Sequence, residues 1–221
     1  MIFRIDLKIF LILILFYFTN QIEVYTLIMI FAILHELSHL IAGLILKMKV
    51  KRIALMPIGL SIEFKLSYDD YNKKLYKSNL LDLKKLIIAI SGPLFNIFVI
   101  ILALFLNINN NLKNLIIYSN LLIAIFNLLP IYPLDGGRIL KEIIKIFYGH
   151  KVSTIFMVKF TKFILVLLSL LYSIIILKIK NIAILFLMFY LWWLYIIEER
   201  KAVTLKRVYG IIEKSIEKNL V

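Results

Sequence analysis

The chain of 221 residues contains no cysteine. Disulfides and thiolate metal sites are therefore excluded, and a metal can be held only by histidine, aspartate or glutamate. Histidine is scarce too, at three residues, so few imidazole ligands are on offer. Charged residues make up only 18%, and acidic ones number 13 against 27 lysines and arginines. Glycine occurs seven times and proline four times. Each one that interrupts an apolar run is therefore a marked position. No internal repeat is visible, which argues against a transporter assembled from two related halves.

What the chain does have is apolar surface. Hydrophobic residues reach 62% and the mean hydropathy is +0.95, above the roughly one-half apolar content of a soluble domain. A bilayer is the usual place to hide such an excess. Six apolar runs cover roughly 5–19, 24–46, 86–106, 115–130, 155–177 and 182–197. A spanning helix needs about 20 residues, so the second and third runs qualify outright. The first and last are short, and need snorkelling flanks or a thinned bilayer. The first run follows Arg4 and Lys8, but Tyr17-Phe18-Thr19-Asn20 offers no small-x-small cleavage site, so it reads as a retained span. The expected fold is an all-α polytopic membrane protein with about six transmembrane helices. Residues 1–197 form the membrane domain, with its core at 24–140, and 198–221 form a basic amphipathic tail on the inner surface.

Basic residues set the orientation. With the N-terminus inside, 24 of the 27 Lys and Arg fall on the cytoplasmic side, and only Lys113, Lys178 and Lys180 fall outside. This predicts both termini in the cytoplasm. The net charge of +14 sits between apolar runs, where lipid headgroups meet it, so no nucleic-acid partner is expected. Residues 58–65 alternate apolar with small or polar side chains, which is a strand signature. Val50 to Leu55 supplies the other arm of a small hairpin after the second span.

Residues 35–39 read His-Glu-Leu-Ser-His inside the second run. Positions i and i+4 project from one helix face, so His35 and His39 can grip one ion. Glu36 sits about 100° around the helix, within reach of a water at that ion. Zinc suits the set, because its catalytic sites take three N or O ligands and keep a fourth position open. Ionisable groups within a spanning helix are costly and mark function. The competing reading is a polar cluster that glues helices together.

Asp135 is the candidate third ligand. It follows Pro130 and Pro133 and precedes Gly136-Gly137, which let the backbone bend close to a metal. It lies at the cytoplasmic end of the fourth run, at a depth similar to the histidines. The alternative is an ordinary loop whose aspartate caps the next helix. Ser91-Gly-Pro-Leu-Phe-Asn96 in the third run reads first as a close-packing site between helices, and second as a frame for the cleft. His150 reads as an exposed loop histidine.

Taken together and in this order, His35-Glu-Leu-Ser-His39, Ser91-Gly-Pro-Leu-Phe-Asn96 and Asn127 through Asp135-Gly136 resemble the site-2 protease family of intramembrane zinc metalloproteases, across residues 24–140. The resemblance implies one Zn2+ per chain held by His35, His39 and Asp135, with Glu36 as general base. It implies that Asn127 positions substrate or stabilises the oxyanion, and that the hairpin is membrane-associated and pairs with substrate. The short layout is similar to the stage IV sporulation protein FB group, whose members cleave a sigma factor precursor. The 24 residues after Ile197 are too few for the CBS domain many of that group carry, and the loop from Lys47 to Lys85 is too short for a PDZ domain. The expected partners are a protein substrate with an extended segment at the membrane, such as a sigma factor precursor, the lipid bilayer, and membrane inhibitor proteins. The expected location is the cell membrane, in a sporulating cell the mother-cell membrane around the forespore. A membrane transporter and a non-catalytic zinc-binding scaffold are the rival readings. The transporter tolerates loss of Glu36, and the scaffold has no use for it.

Overall fold

The computed structural model describes residues 2–5, 22–56, 59–65, 75–179 and 182–219. The chain divides into two compact units, Met1–Leu129 and Pro130–Val221. The first unit contains β1 (Ile2–Ile5), α1 (Ile22–Ile45), β2 (Lys49–Met56), β3 (Gly59–Lys65), α2 (Leu75–Phe105) and α3 (Asn110–Leu128). The second contains α4 (Asp135–Ile179) and α5 (Ile182–Asn219).

Four of the described helices are long and apolar enough to cross a membrane, within Ile22–Ile45, Leu80–Phe105, Asn110–Leu128 and Asp135–Ser173. Their outward faces carry large apolar side chains, among them Phe98, Phe105, Leu122 and Phe163, whereas His35, His39, Asn96, Asn120 and Asp135 are buried. Apolar outside and polar inside is the pattern lipid demands of a spanning bundle. The protein is a multi-pass membrane protein. Of the expected first span, Ile5 belongs to β1, and the remaining residues lie outside the described ones. The expected last span and tail form one helix, because α5 runs from Ile182 to Asn219. The predicted boundary at residue 197 falls inside it.

The turn out of α1 has a local cause. Lys47 adopts a left-handed φ of 59°. Its N–H bonds the Leu44 carbonyl at 2.9 Å, and the Met48 N–H bonds the Gly43 carbonyl at 2.8 Å. These two bonds make a Schellman motif. Met48 then packs into a small core with Leu81 and Ile88, flanked by Ala42, Leu46 and Phe64. The motif turns the chain directly into β2. Strands β2 and β3 pair antiparallel, with Val50 opposite Phe64, and β1 pairs parallel to β2. Among the described residues the sheet order is β1-β2-β3, so the strands expected at 50–55 and 58–65 pair within a three-stranded sheet. Sequence alternation missed β1 because four residues are too few to establish a period. The Phe64 ring of β3 lies against Gly43, where any Cβ would overlap it. Glycine at that point lets the sheet approach α1 one helical turn beyond His39.

Within the second unit, α4 is two helical segments joined at Gly149, which has φ 81° and ψ 170°. Against α4, Trp192 of α5 donates its indole N–H to the Ser169 hydroxyl at 3.0 Å.

Candidate metal centre

Helix α1 buries Tyr25, His35, His39 and Gly43. The last three follow one another at i, i+4 spacing, which stacks them on a single face. His35 is 1% exposed and His39 is 3% exposed. Their ring centroids lie 4.9 Å apart, with the planes at 89°. Glu36, one position along the helix, is half-buried.

Both imidazoles are oriented through Nδ1. His39 Nδ1 lies 2.6 Å from the carbonyl oxygen of Ile88 and 3.2 Å from the Ser91 hydroxyl. A carbonyl can only accept, so Nδ1 carries a proton, and in the neutral ring the lone pair is on Nε2. The Ser91 hydroxyl is turned to the same carbonyl at 2.7 Å. His35 Nδ1 faces the side-chain oxygen of Asn96, with the same consequence. A histidine metal ligand needs this state, a lone pair on one nitrogen and an oriented N–H on the other. The pair is buried, neutral in its ligating form and held at Nδ1 by protein acceptors, so these residues fit a zinc ion.

Gly92 explains how helix α2 comes so close. A Cβ there would stand 2.5 Å from His39 Cε1 and Nε2, and 2.6 Å from His35 Cε1. Only a residue without a side chain leaves those ring edges in place. Sequence reasoning favoured helix packing for Ser91 to Asn96. The structure turns three of those residues towards the histidines: Ser91 and Asn96 as hydrogen-bond partners and Gly92 as clearance. Asn120 was missed altogether. It is fully buried on α3 and accepts from the Asn96 amide at 2.9 Å. The available signal was a carboxamide inside an apolar run, which has to find a partner.

Asn127 lies in the last turn of α3 and is half-buried. Asp135 belongs to the second unit, where it opens α4 and is 4% exposed. Its carboxylate lies 3.6 Å from Arg138, one turn on, and an acid at this end suits the helix dipole. The loop before it folds tightly, because Gly137 lies where a Cβ would overlap the Ile131 and Tyr132 backbone. The Tyr132 N–H donates to the Thr161 hydroxyl at 3.3 Å, and the Lys141 ammonium lies 3.9 Å from the centre of the Tyr132 ring. Burial first, and Glu198 second, push the Tyr132 phenol above its ordinary range, so it stays neutral. His150 is exposed, as expected, but it sits in the helical segment after Gly149 and lines a cavity of about 200 Å3 with Tyr132, Lys141, Glu198 and Lys201.

Residues 24–112 and 106–171 match the profile of peptidase family M50, and the match takes in His35, Glu36, His39, Ser91, Gly92, Asn96, Asn120, Asn127 and Asp135. The chain belongs to peptidase family M50. It is 32% identical to a zinc metalloprotease of Methanocaldococcus jannaschii over 138 residues, 59% of this chain and 37% of the relative. It is 28% identical to stage IV sporulation protein FB of Bacillus subtilis over 126 residues, 55% of this chain and 40% of the relative. The chain thus spans well under half the length of the curated relatives it matches. The fold is similar to the solved site-2 protease from Methanocaldococcus jannaschii, with a TM-score of 0.58 and 25% identity over 90% of this chain and 89% of the other.

Proposed function

We propose that this M50 member is a zinc-dependent endopeptidase that cleaves a peptide bond in or near the membrane. The observation that carries the reading is the buried His35–His39 pair on a spanning helix, with each Nδ1 turned to a protein acceptor, the orientation a histidine metal ligand needs. Asp135 is the third ligand in this reading. Its burial at the start of α4 supports that role, because a carboxylate oxygen is a ligand that zinc accepts beside two imidazoles.

Zinc, when bound, supplies Lewis acidity that polarises the scissile carbonyl and makes water a stronger acid. Glu36 takes the proton from the attacking water and returns it to the leaving amine. Its half-buried position, beside rather than on the ligand face, suits a base that must reach the water without occupying the ion. Asn127 positions the substrate or donates to its developing oxyanion. The substrate has to be extended, since a helical peptide bond is shielded by its own hydrogen bonds. Among the described residues strand β3 is an edge of the sheet, and it packs against α1 through Phe64, so it can receive an extended segment by β-augmentation. The 24 to 3 distribution of basic residues supports cytoplasmic termini and a site in the cytoplasmic half of the bilayer. The sporulation relative suggests a membrane-associated precursor of a transcription factor, such as a pro-sigma factor, as substrate.

The test is co-expression with a candidate sigma factor precursor, with and without Glu36→Gln. Wild type releases the shortened product. The variant folds, keeps its zinc and loses cleavage by at least the ~10²–10⁴-fold expected of a general base. Cleavage at the wild-type rate by the variant refutes the role of Glu36, and a wild-type chain purified without chelators that holds no stoichiometric zinc refutes the reading.

A further inference from the structure

A neutral imidazole has two tautomers, and only the one protonated at Nδ1 leaves Nε2 able to ligate. At His35 that choice is set by Asn96, but a carboxamide can present either its oxygen or its NH2. Something has to decide which end Asn96 turns to the ring.

The decision is traceable to the third helix. Asn120 donates its NH2 to the backbone carbonyl of Ile116 at 2.9 Å. A carbonyl accepts and cannot donate, and this one is fixed in α3. The Asn120 oxygen is therefore the end that faces Asn96, at 2.9 Å from the Asn96 NH2. Asn96 is thereby left with its oxygen towards His35 Nδ1, and the proton has to sit on Nδ1. Reversing any one amide sets donor against donor or acceptor against acceptor. Asn96 and Asn120 are 0% exposed and His35 is 1% exposed, so bulk water does not stand in for a lost partner.

We propose that Asn120 is a positioning residue for the metal centre, fixing the ligating tautomer of His35 through Asn96. The proposal deepens the reading of His35 as a zinc ligand and rests on it. Outer-shell partners of this kind change metal affinity by about 10–100-fold.

The test uses the full chain in detergent and reads two quantities. The first is the nitrogen NMR spectrum of histidine-labelled, metal-free protein, recorded well above the ordinary imidazole pKa of about 6.5. With only three histidines in the chain, His35→Gln and His150→Gln complete the assignment. The second is zinc affinity by competition with a chelator. Wild type is expected to show His35 protonated at Nδ1. Asn120→Leu releases Asn96, so His35 populates the Nε2-protonated form, the His39 signals stay in place, and zinc binds about 10–100-fold more weakly. Asn120→Asp accepts from Asn96 whether or not it is ionised, so it restores the wild-type tautomer and most of the affinity. Asn120→Ala carries the same test with less bulk should Asn120→Leu not fold.

An Nε2-protonated His35 in the wild type overturns the proposal. So does an Asn120→Leu or Asn120→Ala protein with the wild-type tautomer and zinc affinity within about twofold. A wild-type chain that binds no zinc refutes the reading of the site instead, while the metal-free spectra still decide the relay.

Discussion

Gly92→Ala is the sharpest perturbation of the centre, because one methyl group meets both imidazoles at once. The new Cβ would stand 2.5 Å from two atoms of the His39 ring and 2.6 Å from one of the His35 ring. Non-bonded carbons settle at about 3.5–4.0 Å, so each ring edge has to withdraw by about 1 Å. Neither ring can swing aside cheaply, since each is anchored at Nδ1, to Asn96 on one side and to Ile88 on the other. The alternative is to push α1 and α2 apart, which empties the small core around Met48, Leu81 and Ile88. Overpacking of this kind costs about 1–3 kcal/mol. Ligand positions are tolerated to within about 0.2 Å, so most of that cost falls on the metal. At about 1.4 kcal/mol per tenfold, zinc affinity should drop by about 10–100-fold, and cleavage with it. Chelator competition measures the first and precursor processing the second. Gly210→Ala is the control, because a Cβ there meets nothing within 4 Å, and alanine in a helix interior gains up to about 1 kcal/mol. Zinc affinity within threefold of wild type in Gly92→Ala would mean that the rings do not stand where the structure puts them.

Asp135→Asn should weaken zinc binding by more than the ~10–100-fold of an outer-shell change, and an affinity equal to wild type removes Asp135 from the ligand set. Lys47→Gly should stabilise the first unit by about 0.5–1 kcal/mol, the left-handed penalty of a non-glycine residue less the entropy glycine brings to the unfolded chain; an unchanged midpoint in denaturing detergent contradicts the Schellman assignment. The cysteine-free sequence makes single-cysteine labelling clean. Lys113→Cys should react with an impermeant reagent from outside and Lys206→Cys only from inside, and labelling of both from one side overturns the orientation.

The parts of this site that could be read in advance are those set within one stretch of chain. Five residues, His35 to His39, fix the spacing of the candidate ligands because the helical repeat alone brings i and i+4 to one face. The alternation at 58–65 gave β3 for the same reason, since a strand period is local. Ser91, Gly92 and Asn96 were noticed as breaks in an apolar run, yet their purpose depended on what stood opposite, and nothing within α2 says that it is His35 and His39. Asn120 gave no motif at all. It acquires meaning only from Asn96, 24 residues away.

The sequence by itself determined that the chain lives in a membrane, that a metal there has to be held without thiolates, and that two imidazoles and a carboxylate share one helix. These follow from composition and from periodicity, which act between neighbours along the chain. Tertiary structure alone decided which nitrogen of His35 and of His39 faces a protein acceptor, why no side chain is tolerated at residue 92, and that β1 joins the sheet. Those depend on where helices and strands distant in sequence cross, and buried polar groups settle on whichever partner the crossing supplies.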